Sequence, residues 1–535
     1  MKNEIGLKDI SKECDQLTKI DQEGLVPLPH PYEHTEFPAL SIRLSEEEKV
    51  RYETSLDGVL GIGIRKPESK REEEELIAKF LSGLSKLFSK GNNWTFVQPL
   101  VLSLEYCGKC LTCSEACPIY VASGRQEIYR PTYRSELLRR IKEKYLDKTG
   151  KIIAWLKGSD IELNWLTIAR LGELAYRCTL CRRCAQVCSR GIDNGLITRE
   201  IRKLFSQEMG IAPKELHEKG TIQQLKIGSS TGMTPAAFKD IIGFIEEEIH
   251  EKTGKKIRIP IDKKGADILL IHNAGEYLSW PENPAAFAII FEAAGLDWTL
   301  SSDLVGYDAV NYGVWYDDIQ LFRIALKHTQ IAKDLNVKRV VIGECGHAHK
   351  ALISVADRIL TGDLNIPRES CLSLLEHIVI NGKLKVDPKR NDFPVTLHDP
   401  CNMVRSMGIA EPQRRILRKI CPQFREMEPH GVENYCCGGG SGFAVMSSRN
   451  FPQWRSAISG RIKLKQILET FQDVIAPETR KYVCAPCSNC KGQIREVFND
   501  YQVWEKCGIS YGGVVELIAN AMVDIKEPFI NWEWR

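Results

Sequence analysis

The stretch that decides the first half of the fold reads CGKCLTCSEACP over residues 107–118. It carries four cysteines in the pattern C-x2-C-x2-C-x3-C, followed by a proline: Cys107, Cys110, Cys113 and Cys117. A second run repeats this spacing, with Ser189 in place of the proline: Cys178, Cys181, Cys184 and Cys188. Three cysteines separated by two residues each can surround one face of a metal cluster, whereas the fourth lies on the next helical turn. The two runs therefore predict a pair of metal centres in one module.

This double motif is similar to bacterial ferredoxins, in which the fourth cysteine of each run ligates the other of two [4Fe–4S] cubane clusters. One predicted cluster then takes Cys107, Cys110, Cys113 and Cys188. The other takes Cys178, Cys181, Cys184 and Cys117. Zinc ribbons, the main alternative, use ligands in pairs and fit two runs of four poorly. Because thiolates saturate both cubanes, we expect them to carry electrons and a substrate site to lie elsewhere.

The composition limits the possible functions. The chain has 535 residues, 43% of them hydrophobic and 27% charged, with a net charge of +3. This is ordinary usage for roughly two to four globular domains, and it carries no electrostatic signature of nucleic-acid binding. The sequence shows no secretory signal or membrane-spanning stretch, so its 19 cysteines are expected to serve metal or redox chemistry in an intracellular chain. It also lacks the glycine-rich fingerprints that would predict a nucleotide site.

The second half of the chain alternates short apolar runs with helical patterns, which indicates α/β units on parallel sheets. Four runs are predicted as buried strands: 268–271, 340–342, 395–397 and 481–483. The segment 270–275 resembles 396–401, and 341–345 resembles 482–487 in placing a cysteine just beyond a strand. These similarities predict a duplicated α/β unit whose first copy lacks most of the ligand cysteines.

The predicted architecture is therefore multidomain α/β, with a helical two-cluster module followed by two tandem α/β units, the first degenerate. A helical pattern at 69–90 is the main feature ahead of the module. The predicted limits are an N-terminal extension at 1–95, the ferredoxin-like module at 96–210, a polar connector at 211–262, the degenerate unit at 263–385 and the complete unit at 386–535.

The complete unit contains six cysteines with spacing that suits metal ligands: Cys401, Cys436, Cys437, Cys484, Cys487 and Cys490. The first follows a predicted strand, the next two are adjacent and precede three glycines, and the last three lie in the sequence CAPCSNC. Adjacent cysteines suit a regular cubane poorly but can bridge neighbouring irons of a distorted cluster. Glycines let the backbone approach closely and offer N–H donors to sulfur. We therefore expect a third metal centre at the strand ends, where α/β sheets place their sites.

This pattern is similar to the cysteine-rich CCG domain of heterodisulfide reductases, C-x(31–38)-CC-x(n)-C-x2-C. Thirty-four residues separate Cys401 from Cys436, within that range. The second gap is longer than usual in the family and leaves two endings open, Cys484 with Cys487 or Cys487 with Cys490. The latter ending is favoured because a polar helix start follows Cys490, and Cys484 is then a spare thiol near the site.

The order of parts resembles the catalytic subunit of the membrane-bound heterodisulfide reductases over roughly residues 100–500. With ECGHAH at 344–349 in the degenerate unit, it looks like the DsrK-type iron–sulfur subunits of the sulfite-reduction-associated DsrMKJOP complexes. The resemblance implies a DsrC protein whose cysteines carry a disulfide or trisulfide as substrate. It also implies a non-cubane [4Fe–4S] cluster at Cys401, Cys436, Cys437, Cys487 and Cys490.

The leading hypothesis is an electron-transferring reductase subunit of a membrane-associated respiratory complex in dissimilatory sulfur metabolism. Electrons from a cytochrome b-type, DsrM-like subunit would pass through the cubanes and cleave the sulfur–sulfur bond, or flow in reverse. The chain would then be cytoplasmic and held at the inner face of the membrane by the other DsrMKJOP subunits. The alternative is the iron–sulfur subunit of a flavin-dependent dehydrogenase, such as those for glycolate or glycerol-3-phosphate. A third possibility is a non-enzymatic conduit with an ordinary third cubane or zinc.

Several residues outside these motifs have two possible roles. Cys345, beyond a predicted strand of the degenerate unit, is either a ligand or substrate-sulfur partner in catalysis, or a packing cysteine. His347 and His349 could move protons to departing sulfur, with a surface or capping role as the alternative. His398 and Asp399 could orient the following ligand or form an ordinary turn. The cysteines that lack ligand spacing are predicted to be structural: Cys14, Cys371, Cys421 and Cys507.

Overall fold

The helical pattern ahead of the first cysteine run forms a capped helix in the computed structural model. Helix α1 spans Lys70–Leu87, and the side chain of Ser69 accepts a hydrogen bond from the backbone N–H of Glu72 at its start. Phe80 and Leu84 are fully buried on its inner face, which confirms the predicted helix. The structure describes residues 7–13, 17, 22–34, 56, 61–91, 97–147, 150–156, 161–303, 312–356, 360–446, 450–451 and 454–532, so Cys14 lies outside the described residues.

The ferredoxin-like module is built from helices around the two cysteine runs. Prolines open α4 and α5, whereas Asn164 and Asp193 accept backbone N–H groups at the starts of α7 and α9. The helices of this module are α2 Val97–Glu105, α3 Thr112–Glu115, α4 Pro118–Ala122, α5 Pro131–Tyr145, α6 Gly150–Leu156, α7 Trp165–Tyr176, α8 Arg183–Gln186 and α9 Asn194–Lys203. The last continues as one π-helical segment, Leu204–Glu208, so the module ends on a long helical stretch.

Most of the predicted connector is helical. It contains α10 Lys214–Leu216, α11 Gln223–Ile227 and α12 Pro235–Thr253. The inner face of α12 is a stripe of four apolar side chains that pack into the core of the first sheet: Phe238, Ile242, Ile245 and Ile249. This stripe has helical spacing within an otherwise charged segment, so helix α12 belongs to the first α/β unit structurally.

The first α/β unit has a four-stranded parallel sheet in the order β2-β1-β3-β4. Its strands are β1 Ile268–Ile271, β2 Trp298–Thr299, β3 Arg339–Ile342 and β4 Arg368–Ser370. Its helices are α13 Ala274–Ser279, α14 Glu282–Ala293, α15 Tyr312–Tyr316, α16 Asp318–Asp334, α17 Gly346–His349 and α18 Cys371–Ile380. The two central strands are the ones that their apolar runs predicted.

The second α/β unit repeats this topology in the order β6-β5-β7-β8, again with all strands parallel. Its strands are β5 Val395–Leu397, β6 Phe424–Arg425, β7 Lys481–Cys484 and β8 Ile509–Gly512. Its helices are α19 Cys401–Met407, α20 Glu411–Ile420, α21 Arg461–Thr470, α22 Ser488–Tyr501, α23 Val503–Cys507 and α24 Val514–Ala521. The matching strand orders confirm the predicted duplication and the multidomain α/β fold class.

The two units face each other through equivalent helices. Helix α14 of the first unit packs on α24 of the second, while α18 of the first packs on α20 of the second. Because α14 corresponds to α20 and α18 to α24 in strand order, the contact is reciprocal, as in a twofold arrangement. The carboxyl ends of β3 and β7 consequently meet at the centre of the interface. None of the helices in the described ranges combines the length and apolar character needed to cross a membrane.

Candidate iron–sulfur site

Six cysteine side chains converge in one pocket at the carboxyl ends of the strands. All are buried, and the most exposed retains 8% of its accessible surface: Cys345, Cys401, Cys436, Cys437, Cys487 and Cys490. The Sγ atoms of Cys437 and Cys490 are 3.3 Å apart. Cys436 shares thiol hydrogen bonds with Cys401 and Cys437, and Cys487 shares them with Cys490 and Cys345. The sulfurs therefore form one continuous group.

Strand register explains how Cys345 of the degenerate unit reaches this group. Ile342 at the end of β3 corresponds to Cys484 at the end of β7, so Cys345 corresponds to Cys487 three residues later. Both cysteines are extended, and the N–H of each bonds the carbonyl oxygen two residues earlier at 2.7 and 2.6 Å. Each unit thus contributes one strand-end cysteine to the same pocket.

Cys484 does not join this group. Its side chain lies in the apolar core of the second sheet with Cys421, and burial holds the pKa of its thiol well above the usual range. Side chains alternate between the two faces of a strand, so a residue three positions before Cys487 faces the core instead of the pocket. Of the two possible endings of the motif, the structure brings Cys487 and Cys490 to the pocket.

The three glycines after Cys437 allow a backbone approach that a larger residue would block. Added Cβ atoms would lie 2.3 Å from the Ser459 oxygen at Gly438 and 2.5 Å from the Gln493 Cβ at Gly439. Gly438 also has a φ of +94°, in the region that favours glycine. The N–H groups of Gly438 and Gly439 donate to the sulfurs two residues earlier, each at 3.4 Å. The segment therefore packs tightly and stabilises charge on sulfur.

Hydrogen bonds within the group favour thiolates at two positions. Those from Cys436 and Cys490 hold the pKa of Cys437 well below its usual range. Those from Cys345 and Cys490 do the same for Cys487. An all-sulfur donor set with thiolate character suits a soft metal centre such as an iron–sulfur cluster. The residues present therefore fit the third cluster that the sequence predicts.

Three histidines surround the pocket, and none of them lies at the surface. The ring nitrogen of His398 and the sulfurs of Cys437 and Cys490 lie within 4.8 Å of one another. His347 hydrogen-bonds Cys487, and its Nδ1 lies 2.8 Å from the Asn489 amide nitrogen.

His349 has a structural environment that leaves it no free nitrogen. Its Nδ1 is 2.8 Å from the carbonyl oxygen of Cys345, to which it donates, and its Nε2 is 2.7 Å from the hydroxyl of Ser370. Burial lowers the pKa of His349 to about 4. A neutral His349 therefore fixes the backbone of Cys345, and the surface alternative for His347 and His349 is wrong because both are buried.

Asp399 and Lys463 support the pocket from behind. The Asp399 carboxylate accepts bonds from both terminal nitrogens of Arg414, at 2.7 and 2.5 Å, and from the Gly431 N–H at 2.6 Å. Lys463 is buried and donates to Asn434 Oδ1 at 2.7 Å. Burial lowers the pKa of Lys463 to about 7, opposed by the negative charges of Asp399 and the pocket thiols. No sequence motif pointed to Lys463, because a single lysine in an amphipathic helix carries no spacing signal.

The ferredoxin-like cysteines adopt the crossed arrangement that their spacing predicts. Cys117 lies beside Cys178 and Cys181 of the second run, and Cys188 lies beside Cys113 of the first. The loops of both runs have left-handed residues on either side of the second cysteine: Lys109, Leu111, Leu180 and Arg182. In the second run Cys184 lies near Cys178, Cys181 and Cys117, the set that one cubane would need.

The second cubane set touches the six-cysteine pocket. The Cys181 thiol hydrogen-bonds Cys436, and Cys181 packs against the same apolar cluster as the pocket cysteines. Cys110 of the first set is exposed at the protein surface. The first set therefore reaches the surface, and the second set contacts the buried pocket.

Comparisons with known proteins agree with this arrangement. The family model of the 4Fe-4S dicluster domain matches residues 103–192, and that of the cysteine-rich domain CCG matches residues 395–495. The Hdr-like menaquinol oxidoreductase iron-sulfur subunit 2 of Archaeoglobus fulgidus is 27% identical over 467 residues, which cover 79% of this chain and 80% of that protein. The chain is similar to Hdr-like iron–sulfur subunits. These similarities confirm the predicted types of the two cysteine-bearing domains.

Two further relatives show the range of this group. One component of the dihydromethanophenazine:CoB–CoM heterodisulfide reductase of Methanosarcina acetivorans is 25% identical over 446 residues, covering 80% of this chain and 96% of that protein. The EtfAB:quinone oxidoreductase of Syntrophomonas wolfei is 22% identical over 428 residues, which cover 74% of this chain and 55% of that protein. The relatives support an electron-transferring iron–sulfur oxidoreductase. The DsrK-type assignment is finer than these similarities and stays a prediction.

Proposed function

We propose that this chain is the iron–sulfur subunit of an Hdr-like complex and that it reduces a protein disulfide or trisulfide, or oxidises the corresponding thiols. The observation that carries the proposal is the buried six-sulfur pocket in contact with the second cubane set through Cys181 and Cys436. The DsrK-like ECGHAH segment supports DsrC as the substrate, because it supplies Cys345 to the pocket. We place the reaction in dissimilatory sulfur metabolism.

The proposed cofactors are two cubane [4Fe–4S] clusters and one non-cubane [4Fe–4S] cluster. Cleaving a disulfide takes two electrons and two protons and yields two thiols. A cluster bound in the pocket would supply the electrons one at a time. The ligands proposed for it are Cys401, Cys436, Cys437, Cys487 and Cys490. Their burial excludes water from the reacting sulfur, while Cys345 offers a sixth thiol against Cys487.

The proposed partners follow from the exposure of the first cubane set and the contact of the second with the pocket. Electrons would enter at the first cubane set, where Cys110 is exposed, from a cytochrome b-type, DsrM-like membrane subunit. Other DsrMKJOP subunits would hold the chain at the cytoplasmic face of the membrane. The names of the relatives, which contain menaquinol and dihydromethanophenazine, support an electron donor from the membrane.

Electron paramagnetic resonance of the thiol-oxidised protein tests the proposal. Adding DsrC should produce a paramagnetic signal that is lost in Cys436→Ala and in Cys437→Ala. Cys484→Ala is the matched control and should keep the signal, because Cys484 lies in the apolar core. DsrC lacking its cysteines should produce no signal with any of these proteins. The same signal in the pocket variants as in the original protein would contradict the proposal.

A second candidate is electron relay between a flavoprotein and a quinone, without sulfur chemistry. The similarity to an EtfAB:quinone oxidoreductase favours it, and it is close to the flavin-dependent dehydrogenase alternative. Reduction of all clusters by a reduced electron-transferring flavoprotein, with no response to DsrC, would support the relay. Reduction that depends on DsrC thiols would instead support the leading proposal.

A further inference from the structure

The ferredoxin-like module and the second α/β unit meet where the two sulfur sets touch. Besides the contact of Cys181 with Cys436, the backbones approach closely at Gly440, where an added Cβ would lie 2.6 Å from the Thr179 carbonyl oxygen. Thr179 lies in a loop and Gly440 begins a single 3-10 turn, and such short segments rarely keep a fixed separation unaided. Three buried or half-buried arginines bridge the junction: Arg183, Arg202 and Arg405.

Arg183 lies between the second and third cysteines of the second run. Its Nη1 donates to the carbonyl oxygen of Ala116, next to Cys117, at 2.7 Å. Its Nε donates at 2.7 Å to the carbonyl oxygen of Glu433, three residues before Cys436. The guanidinium also stacks on the Tyr435 ring, 4.3 Å from its centre. One side chain thus joins a loop of the cubane module to the segment that ends in Cys436.

Arg405 makes the reciprocal connection from the second unit. It lies one helical turn after Cys401, and its Nη1 donates to the carbonyl oxygen of Cys181 at 3.0 Å. Its Nε donates to the Val432 carbonyl at 2.7 Å, and its Nη2 donates to the Asn434 carbonyl. Arg405 therefore ties a ligand of the cubane set to the segment ahead of Cys436.

Arg202 connects the other side of the junction and is fully buried. It donates to the carbonyl of Cys178 at 2.7 Å, and to the carbonyl and hydroxyl of Ser441 at 3.0 and 2.7 Å. Its Nε donates to the Ala175 carbonyl at 2.9 Å. Ser441 follows the glycine segment and has a left-handed φ of +67°. The segment after the adjacent cysteines is therefore held to the first cysteine of the second run.

We propose that Arg183 and Arg405, supported by Arg202, are positioning residues that fix the separation of the Cys181 and Cys436 sulfur sets and so set the rate of electron transfer between them. The inference rests on the proposed function in that both sets must hold clusters. In the step concerned, one electron leaves the cubane, which is oxidised by one electron, and reduces the pocket cluster by one. No bond or proton changes.

The choice of arginine fits this role. A guanidinium offers several N–H donors in a rigid plane, so one side chain can hold carbonyls from two modules in a fixed relation, whereas a lysine ammonium cannot. Within the described part of the chain, no carboxylate lies at ion-pair distance from any of the three guanidinium groups. Their positive charges therefore remain available to offset those of the thiolate-bound clusters that they flank.

The test uses Arg183→Lys and Arg405→Lys in the full iron-loaded protein, since both changes keep the charge and remove the fork of donors. Arg418→Lys is the matched control, because this exposed arginine of α20 pairs only with carboxylates away from the junction. The measurements are the magnetic coupling between the two clusters, their potentials, and the rate of intercluster electron transfer after a pulse of photochemical reductant.

We expect each junction variant to lose about tenfold or more in transfer rate, since small displacements of reacting centres have large kinetic effects. The magnetic coupling should weaken, while potentials and iron content stay unchanged. Unaltered rates and coupling in both variants would overturn the proposal, and so would loss of iron from both, because the arginines would then serve assembly alone. Absence of a pocket-cluster signal in the unmodified protein would instead refute the proposed function. The arginine proposal would then fail with it, because no second cluster would be present to receive the electron.

Discussion

Cys484 and Cys487 show how three residues of chain separate a packing role from a site role. Cys484 is the last residue of β7 and points into the apolar core, while Cys487 follows a turn and points into the sulfur pocket. Cys345 occupies the same place as Cys487 in the degenerate unit. The first unit therefore has a cysteine at the position that faces the partner unit.

The iron content of variants distinguishes a cysteine of the sulfur pocket, such as Cys437, from the core cysteine Cys484. The Cys437→Ala variant should lower the iron content from about 12 to about 8 per chain, because one of three [4Fe–4S] clusters is lost. The Cys484→Ala variant should keep about 12, since the Cys484 side chain packs in the core of the second sheet. Iron and acid-labile sulfide analysis checks both values. Equal losses in the two variants would show that Cys484 is a ligand.

Among the helices and strands, the outer strands are the part that the sequence did not reveal. Each sheet places two strands at its centre, and their short, mainly apolar runs predict them. The edge strands β2 and β6 are only two residues long, and Arg368 and Glu369 make β4 polar. Such segments have too few residues to show the alternating hydrophobic pattern of a strand. They become strands because a neighbouring strand offers backbone hydrogen bonds.

The glycine segment gives a prediction about how elements pack. Gly440→Ala should lower the free energy of unfolding by about 1–3 kcal/mol, because its Cβ would meet the backbone oxygen of Thr179, which cannot move aside freely. Gly243→Ala in helix α12 is the matched control. It has open space at the Cβ position and should gain about 0.5–1 kcal/mol. Thermal unfolding of the two variants measures both changes, and a neutral Gly440→Ala would contradict the close approach.

Across the molecule as a whole, a buried charge network joins the two α/β units. The Lys491 ammonium of the second unit is 2.6 Å from Glu276 of the first and 3.9 Å from Glu516. Glu344 of the first unit accepts the N–H of Val514 at the start of α24, at 2.8 Å. Three carboxylates share one ammonium, so the pKa of Lys491 is raised by their charges, although burial opposes the rise.

Removing the shared cation should strongly destabilise the interface between the units. Above about pH 8, where Glu276 is ionised, Lys491→Met would leave the buried carboxylates without their ion partner, at a cost of about 3–5 kcal/mol in the free energy of unfolding. Lys419→Met on the exposed face of α20 is the control and should change this free energy by less than about 0.5 kcal/mol. The thermal unfolding midpoints of the two variants are measured under the same conditions. Similar midpoints would refute a structural role for the network.

The network also predicts a pH dependence of stability. Burial raises the pKa of Glu276 from 4.5 to about 8. Between these values the folded chain holds a proton that the unfolded chain has released, so raising the pH favours unfolding by at most about 1.4 kcal/mol per pH unit. Stability from this group is complete below about pH 4.5 and is lost as the pH rises through about 8. From pH 6 to 8, the thermal midpoint should therefore fall less steeply in Glu276→Gln than in the unmodified chain; parallel profiles would exclude Glu276 as the titrating group.

Features that depend on local spacing could be predicted from the amino-acid order without coordinates. The cysteine runs identified the dicluster module, because their spacing is specific to it, and the crossed pairing of its ligands stays a prediction. Apolar runs located the central strands, since burial on both faces of a parallel sheet demands them.

Contacts between segments that are far apart in the chain depend on how the whole α/β units pack. That packing brought Cys345 of one unit against Cys487 of the other, left Cys484 in the core, and set Cys181 on Cys436 between three arginines. These contacts join residues that are far apart in the chain, and no local period or motif encodes them. They arise because two similar units pack face to face and the helical module contacts both of them.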